Sequence, residues 1–275
     1  MELASIFRPG LFDGQVVFIT GGGTGIGRAV ARELASLGAS VAICSRKMEH
    51  LEKTRAEIEA AGGQVFARAC NIRSEEEVNA TVQAALERFG RLDGLVNKAG
   101  GQFFSPTEQI TPRGWQAVIE TNLTGNFYMS QAVMRHWMRE HGGAIVSVVI
   151  DIWRGFPHLA HSSAARAGVE NLTKTLAVEW APYHIRINSV APGIIQSSGL
   201  SNYDPATLKN IASYIPSRRL GSESEVAAAV TILLSPAASY ITGDTLRVDG
   251  ASSLWRTNYE IAEHTPTLPY SGFEE

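Results

Sequence analysis

Short apolar runs alternate with longer stretches of helical period along almost the whole chain. The runs are "QVVFIT", "SVAICS", "QVFARAC", "LDGLVN", "AIVSVVI", "IRINSVA" and "TLRVDG". Helical stretches lie between them, over about 25–38, 47–61, 75–89, 113–140, 160–181 and 224–234. Strands that read as continuous apolar runs are buried on both faces, and strands alternating with helices build a parallel sheet. The pattern predicts an α/β fold: a single domain with a doubly wound parallel sheet of about seven strands and helices on both faces. A chain of 275 residues with 44% hydrophobic content can bury one large core of this kind. Capping boxes at Ser74-x-x-Glu77 and Ser222-x-x-Glu225 mark two helix starts independently of the apolar period. The least regular segment, about 196–221, is long for a connection and is predicted to be a substrate lid. An irregular tail is expected from about 255.

Charge and composition exclude several classes of partner. A net charge of −3 gives no basic surface for nucleic acid or an anionic membrane, so small molecules are the expected ligands. The first residues, "MELASIFRPG", show no basic region followed by a long apolar stretch. No later run approaches the roughly 18 apolar residues of a membrane span. The expected location is the cytoplasm. Cys44 and Cys70 both fall in predicted strands and read as buried small hydrophobes in a reducing compartment, not as a disulfide or metal pair. The triplets Asn122-Leu-Thr and Asn171-Leu-Thr match a glycosylation pattern but sit in helix-like segments, and are read as chance.

The first chemical signal is "TGGGTGIG", placed directly after a strand and opening a helix. Gly21, Gly23, Thr24, Gly25, Ile26 and Gly27 allow a tight turn and the close approach of a pyrophosphate to backbone N–H groups at a helix N-terminus. This marks the sheet as Rossmann-type. Cofactor choice is written at the end of the second strand, where an acidic residue would accept from a ribose and repel a 2′-phosphate. Here the residues are Ser45, Arg46 and Lys47. A hydroxyl followed by two cations suits a 2′-phosphate, so NADP(H) is expected over NAD(H). The bland reading is that Arg46 and Lys47 form the basic start of a solvated helix.

Four stretches together resemble the short-chain dehydrogenase/reductase family: "TGGGTGIG", "LVNKAG", "ETNLTGNFYM" and "IRINSVAPGIIQS". The resemblance runs from about Leu11 to Leu254. Within the family, "CNIRSEEEVN", "GGQFFSP" and "HSSAARAGVENLTKTLAVEWA" are especially similar to peroxisomal-type trans-2-enoyl-CoA reductases and their bacterial relatives. The resemblance implies that Asn71 and Ile72 flank the adenine, and that Asn97, Ala99 and Gly100 support the cofactor ribose. It likewise implies that Pro192, Gly193, Ile195 and Ser197 hold the carboxamide and pyrophosphate side, and that Asn122 holds a water in a proton relay. Lys98 departs from the family, which has a small or amide residue there. The resemblance also implies a homotetramer, with a four-helix interface built from the helices at 113–140 and 160–181. A second contact would run through "SPAASYITGDTLRVDG".

The family's carbonyl-reducing set also includes a serine, a tyrosine and a lysine. Their positions are held here by Val149, Ser162 and Arg166. A ketone reductase must protonate an alkoxide; Ser162 is too weak an acid, and Arg166, with a pKa expected above ~12, cannot supply the proton. Hydride addition to an enoyl thioester instead yields an enolate, which needs hydrogen-bond donors first and an α-proton later. Arg166 suits the first task by forking two hydrogen bonds onto ribose hydroxyls or a substrate oxygen. For the second, Asp151 holds the position of the proton-donating tyrosine in related mitochondrial dienoyl-CoA reductases. Glu170 holds that of a tyrosine or aspartate which the resemblance links to catalysis. Asp151 could equally cap backbone or pair with Arg154 or Arg166, Glu170 could form an i, i+4 ion pair with Arg166, and water could supply the proton. His161 is expected to pack or hydrogen-bond.

The expected function is NADPH-dependent reduction of an enoyl thioester, with Phe103, Phe104 and Trp153 shaping an acyl pocket. A coenzyme A or carrier-protein arm is implied by the resemblance alone. The rivals are a 3-oxoacyl or ketone reductase with an altered proton relay, and an NADP(H)-binding protein without turnover. No metal is expected.

Overall fold

The computed structural model describes residues 5–197, 200, 210–256, 258–270 and 272. Strands β1 (Val16–Thr20), β2 (Ser40–Ser45), β3 (Val65–Ala69), β4 (Gly94–Asn97), β5 (Gly143–Val148), β6 (Ile185–Pro192) and β9 (Thr245–Val248) form one sheet in the order β3-β2-β1-β4-β5-β6-β9. Every pairing is parallel. The connecting helices are α1 (Gly25–Ser36), α2 (Glu49–Ala60), α3 (Glu75–Phe89), α4 (112–141), α5 (Ala160–Glu179) and α6 (Glu223–Leu234). The seven strands and six helices fall on the stretches that the alternation predicts.

Alternate side chains of each strand feed two cores, one on each face. Val17 and Ile19 of β1 join Val30 and Leu34 of α1, Leu51 and Ile58 of α2, and Val226 and Val230 of α6. Phe18 joins Val78 and Val82 of α3, Met129 and Val133 of α4, and Leu176 of α5 on the other face. All five β1 side chains are therefore buried, which explains the unbroken apolar run. Both predicted helix starts sit where expected, but only the box at Ser222 closes, because Glu77 accepts the Asn71 N–H instead of reaching back to Ser74. Ser74 accepts from the Glu77 N–H at the start of α3, and Ser222 and Glu225 exchange both hydrogen bonds at the start of α6.

Two features exceed the sequence reading. Helix α4 is not uniform: Glu120–Thr124 and Met134–Met138 are π-helical, and the first of these carries Asn122. Two-residue strands β7 (Ile195–Gln196) and β8 (Gly221–Ser222) pair with each other and close the base of the 196–221 segment. Strands so short leave no periodic signal. Ser198, Gly199 and 201–209 of the expected lid lie outside the described residues. Cys44 and Cys70 are free and buried, with Cys70 one residue beyond β3. No described helix is long and apolar enough to cross a membrane, and the described residues contain no cluster of metal-ligating side chains.

Candidate active site

The strand order reverses between β1 and β4, and a groove of about 660 Å³ opens at the carboxyl ends of the strands there. Its walls include Gly21, Gly23 and Thr24 from the first crossover and Ser45, Arg46 and Lys47 from the end of β2. Beyond them come Asn71 and Ile72 after β3, and Lys98, Ala99, Gly100 and Gln102 after β4. Residues from four separate expectations thus converge on one cavity.

The glycine-rich crossover is built for close approach. A Cβ on Gly27 would lie 2.1 Å from the Gly21 carbonyl oxygen, so α1 sits against β1 only because that residue is glycine. Gly25 and Ile26 open α1, where Thr24 provides no side-chain cap and no acidic residue occupies the first turn. The first N–H groups of α1 therefore have no capping side chain. At the β2 end, the Ser45 hydroxyl donates to the Lys47 carbonyl (2.7 Å), and the Lys47 ammonium pairs with Glu49 (3.1 Å). Arg46 has no partner among the described residues and lines the groove. Asn71 is fixed through its N–H to Glu77 (2.8 Å), and its side-chain oxygen accepts from the Arg73 N–H (3.3 Å).

Asn97 departs from the expected contact. Its amide points inward and donates to Asn126 (3.2 Å) and Ser130 (3.0 Å), and Asn126 donates in turn to Ser147 (3.2 Å). Any contact from Asn97 to a nucleotide falls to its main chain. Ala99 and Gly100 stand at the groove wall. Pro192 ends β6, and Gly193 donates to the Val248 carbonyl (2.9 Å), which anchors the turn leading to Ile195 and Ser197.

Four side chains meet at the far end. The π-helical turn presents Asn122, whose Oδ1 accepts from the Gly101 N–H (2.9 Å) and from Arg166 Nη2 (3.4 Å), while its Nδ2 donates to the Gly101 carbonyl (2.9 Å). Arg166 Nη1 donates to the Val148 carbonyl (2.9 Å), and its Nε is buried without a partner. Burial pushes this guanidinium down to about 10, below the value above 12 expected from sequence, yet it stays cationic at neutral pH. Ser162 is fully buried, and its hydroxyl donates to Gln102 Oε1 (2.7 Å). Val149, at the missing serine's place, packs with Val169 and Ala191 and offers no hydroxyl. His161 accepts the Ser162 N–H at Nδ1 (2.8 Å), which leaves the ring proton on Nε2, and the ring meets Phe103 edge-on at 4.4 Å.

The two candidate acids stand apart in their surroundings. Glu170 is paired with Lys174, not with Arg166, because Arg166 turns toward β5 to reach the Val148 carbonyl. Asp151 Oδ1 accepts the Trp153 N–H (3.1 Å) in a local turn and makes no ion pair with Arg154 or Arg166. Gln102 escaped the sequence reading because its partner, Ser162, lies 60 residues away.

A groove of this build, set where the strand order reverses, belongs to the class of Rossmann-type dinucleotide-binding proteins. The chain matches a family model described as enoyl-(acyl carrier protein) reductase over residues 21–252, and it belongs to the short-chain dehydrogenase/reductase family of nicotinamide-dependent oxidoreductases. It is 42% identical over 247 residues to a probable 2,4-dienoyl-CoA reductase, (2E)-enoyl-CoA-producing, of Bacillus subtilis strain 168; the match spans 87% of this chain and 97% of that protein. It is 36% identical over 263 residues to the peroxisomal 2,4-dienoyl-CoA reductase, (3E)-enoyl-CoA-producing, of Rattus norvegicus, covering 93% of this chain and 89% of that one. Among solved structures, the citronellol catabolism dehydrogenase AtuB of Pseudomonas aeruginosa PAO1 superimposes with a TM-score of 0.82 at 48% identity, over 90% of this chain and 99% of that chain.

Proposed function

We propose that this protein reduces the carbon–carbon double bond of an enoyl or dienoyl thioester, with NADPH as the reductant. The observation that carries the reading is a buried Ser162 in the tyrosine position, tied to the exposed Gln102, beside a buried Arg166 without a carboxylate partner. That arrangement lacks a carbonyl-reducing acid but offers fixed donors for an oxyanion. The site fits the dinucleotide: uncapped N–H groups at α1 suit the pyrophosphate, and partner-free Arg46 suits a 2′-phosphate. When bound, the cofactor supplies a hydride.

The protein's own part is electrostatic and positional. Asn122 clamps the Gly101 backbone and steadies Arg166, whose guanidinium stabilises charge developing on the thioester oxygen. Ser162 fixes Gln102 at the same wall. Asp151 then relays a proton from solvent to the α carbon; the ion pair with Lys174 makes Glu170 a structural residue. Phe103, Phe104 and Trp153, each exposed by more than 40%, shape the acyl pocket together with the 196–221 lid. The acyl carrier is coenzyme A, after the names of the 2,4-dienoyl-CoA reductase relatives.

The protein works in the cytoplasm as a homotetramer. In support, β9 is an edge strand with Leu246 exposed beside Tyr240 and Ile241, and Trp115 and Val178 are exposed on α4 and α5. A second reading, a dehydrogenase of a branched terpenoid substrate, is favoured by the 48% identity to AtuB.

The deciding experiment follows NADPH consumption with crotonyl-CoA, longer enoyl-CoA and 2,4-dienoyl-CoA beside acetoacetyl-CoA, and NADP⁺ reduction with citronellol. Enoyl or dienoyl thioesters are expected to be the only fast substrates. Faster turnover of acetoacetyl-CoA or citronellol overturns the proposal. Asp151→Asn is expected to slow the reaction and Glu170→Gln to leave it nearly unchanged; if neither slows it, the proton comes directly from solvent.

A further inference from the structure

Lys98 has no role in the mechanism above, yet it lines the same groove as the glycine-rich crossover. Its side chain runs along that crossover: a Cβ built on Gly21 would meet Lys98 Cδ at 3.3 Å. Its ammonium reaches the Thr24 carbonyl at 3.4 Å, near the outer limit of a hydrogen bond. The same carbonyl accepts the Arg28 N–H at 3.3 Å, so Lys98 is not needed to satisfy it. No described carboxylate lies within ion-pair distance of Lys98.

We infer that Lys98 is a phosphate-binding residue, whose ammonium neutralises the diphosphate of the dinucleotide at the start of α1. The inference rests on the proposed use of a nicotinamide dinucleotide. A cation held beside the positive end of an uncapped helix is unfavourable alone and becomes favourable when an anion binds between them. Burial lowers the pKa of this ammonium, the Glu223 charge works in the opposite sense, and Arg166 adds to the lowering. Lys98, which lines the groove, therefore carries a desolvation cost that a bound anion relieves.

Lys98 and Arg46 divide the recognition of the nucleotide. The diphosphate is common to NADH and NADPH, so Lys98 sets affinity for both. The 2′-phosphate belongs to NADPH alone, so Arg46 sets the preference between them.

The test is equilibrium binding, followed by fluorescence, of NADPH, NADH, ADP and adenosine 2′-monophosphate. The proteins are the unaltered chain, Lys98→Asn, Lys98→Gln, Lys98→Arg and Arg46→Ala, with the thermal midpoint of each ligand-free protein as a control on folding. A charge-assisted hydrogen bond is worth about ten- to a hundredfold in affinity. Lys98→Asn and Lys98→Gln are expected to weaken NADPH, NADH and ADP by about that factor. They leave adenosine 2′-monophosphate and the NADPH/NADH ratio within about twofold, and Lys98→Arg restores most of the loss. Arg46→Ala is expected to lower the NADPH/NADH ratio and spare ADP.

The inference is overturned if ADP and NADH bind the two neutral variants as tightly as the unaltered protein. It is also overturned if adenosine 2′-monophosphate weakens as much as ADP, which would mark Lys98 as a structural support of the groove. Failure of the unaltered chain to bind either dinucleotide would instead strike the proposed function itself.

Discussion

The guanidinium of Arg166 is buried, bonded to the Val148 carbonyl and to Asn122, and pushed down to about 10 by desolvation. Its protonated form is the one that can stabilise an enolate, so the rate is expected to be level through neutral pH and to fall as pH rises through about 10. A kcat/KM profile with an enoyl-CoA checks this, and Arg166→Met should give a low profile without that alkaline limb. Gly100 controls the same group from the opposite side. A Cβ there would lie 2.1 Å from Arg166 Nη2 and 2.7 Å from Asn122 Oδ1. Gly100→Ala is therefore expected to displace the guanidinium and to cost roughly a hundredfold in kcat, with the thermal midpoint little changed. The substitution of the family's acid and lysine by Ser162 and Arg166 was readable from the chain. Their partners were not: Gln102 and Val148 are 60 and 18 residues away, and nothing local selects them.

Among the elements, α6 begins just after the 196–221 segment, and its first turn meets the C-terminal tail. Its capping box uses Ser222 and Glu225, and Arg219, two residues before β8, grips Glu225 with both terminal guanidinium nitrogens (2.8 and 2.6 Å). The tail, without helix or strand among its described residues, binds the same corner: the Ser222 hydroxyl donates to the Tyr270 carbonyl (2.5 Å), and Arg219 Nε to Thr267 Oγ1 (3.0 Å). Ser222→Ala removes the cap and this anchor together. It is expected to cost about 1 kcal/mol in denaturant unfolding and to raise KM for the acyl thioester more than the NADPH dissociation constant. Equal effects on both ligands would separate the tail from acyl binding. The capping motif itself was legible because it is local. The junction was not, because β7 and β8 are two residues each and the tail's contacts span about 45 residues or more.

For the whole molecule, two buried titratable groups act on stability at opposite ends of the mildly acidic range. Burial raises the Glu33 carboxyl, an effect that a hydrogen bond from Ser5 only partly offsets. Its ionisation therefore opposes folding: the cost is absent near pH 4.5, grows as pH rises through the elevated folded value, and is complete above it. Glu33→Gln is expected to raise the melting temperature at pH 7 by a few degrees and to lose that gain near pH 4.5. The His161 imidazole is lowered by burial, so its contribution is intact above the unfolded value near 6.5 and is lost as pH falls below it. Melting curves of His161→Gln should lose less stability between pH 6.5 and 5 than those of the unaltered chain.

The sequence by itself determined the parallel sheet, its two helical layers and the glycine-rich first crossover. Each of these is encoded by neighbours within one element: an apolar period, a capping pair, or glycines where a Cβ cannot fit. The tertiary structure alone decided which partner each versatile side chain takes. Arg166 chose Val148 and Asn122 over Glu170, Glu170 took Lys174, Asn97 turned inward and Lys98 lay along the crossover. Long polar side chains can reach several partners, and only packing between distant elements fixes which one is within hydrogen-bonding distance.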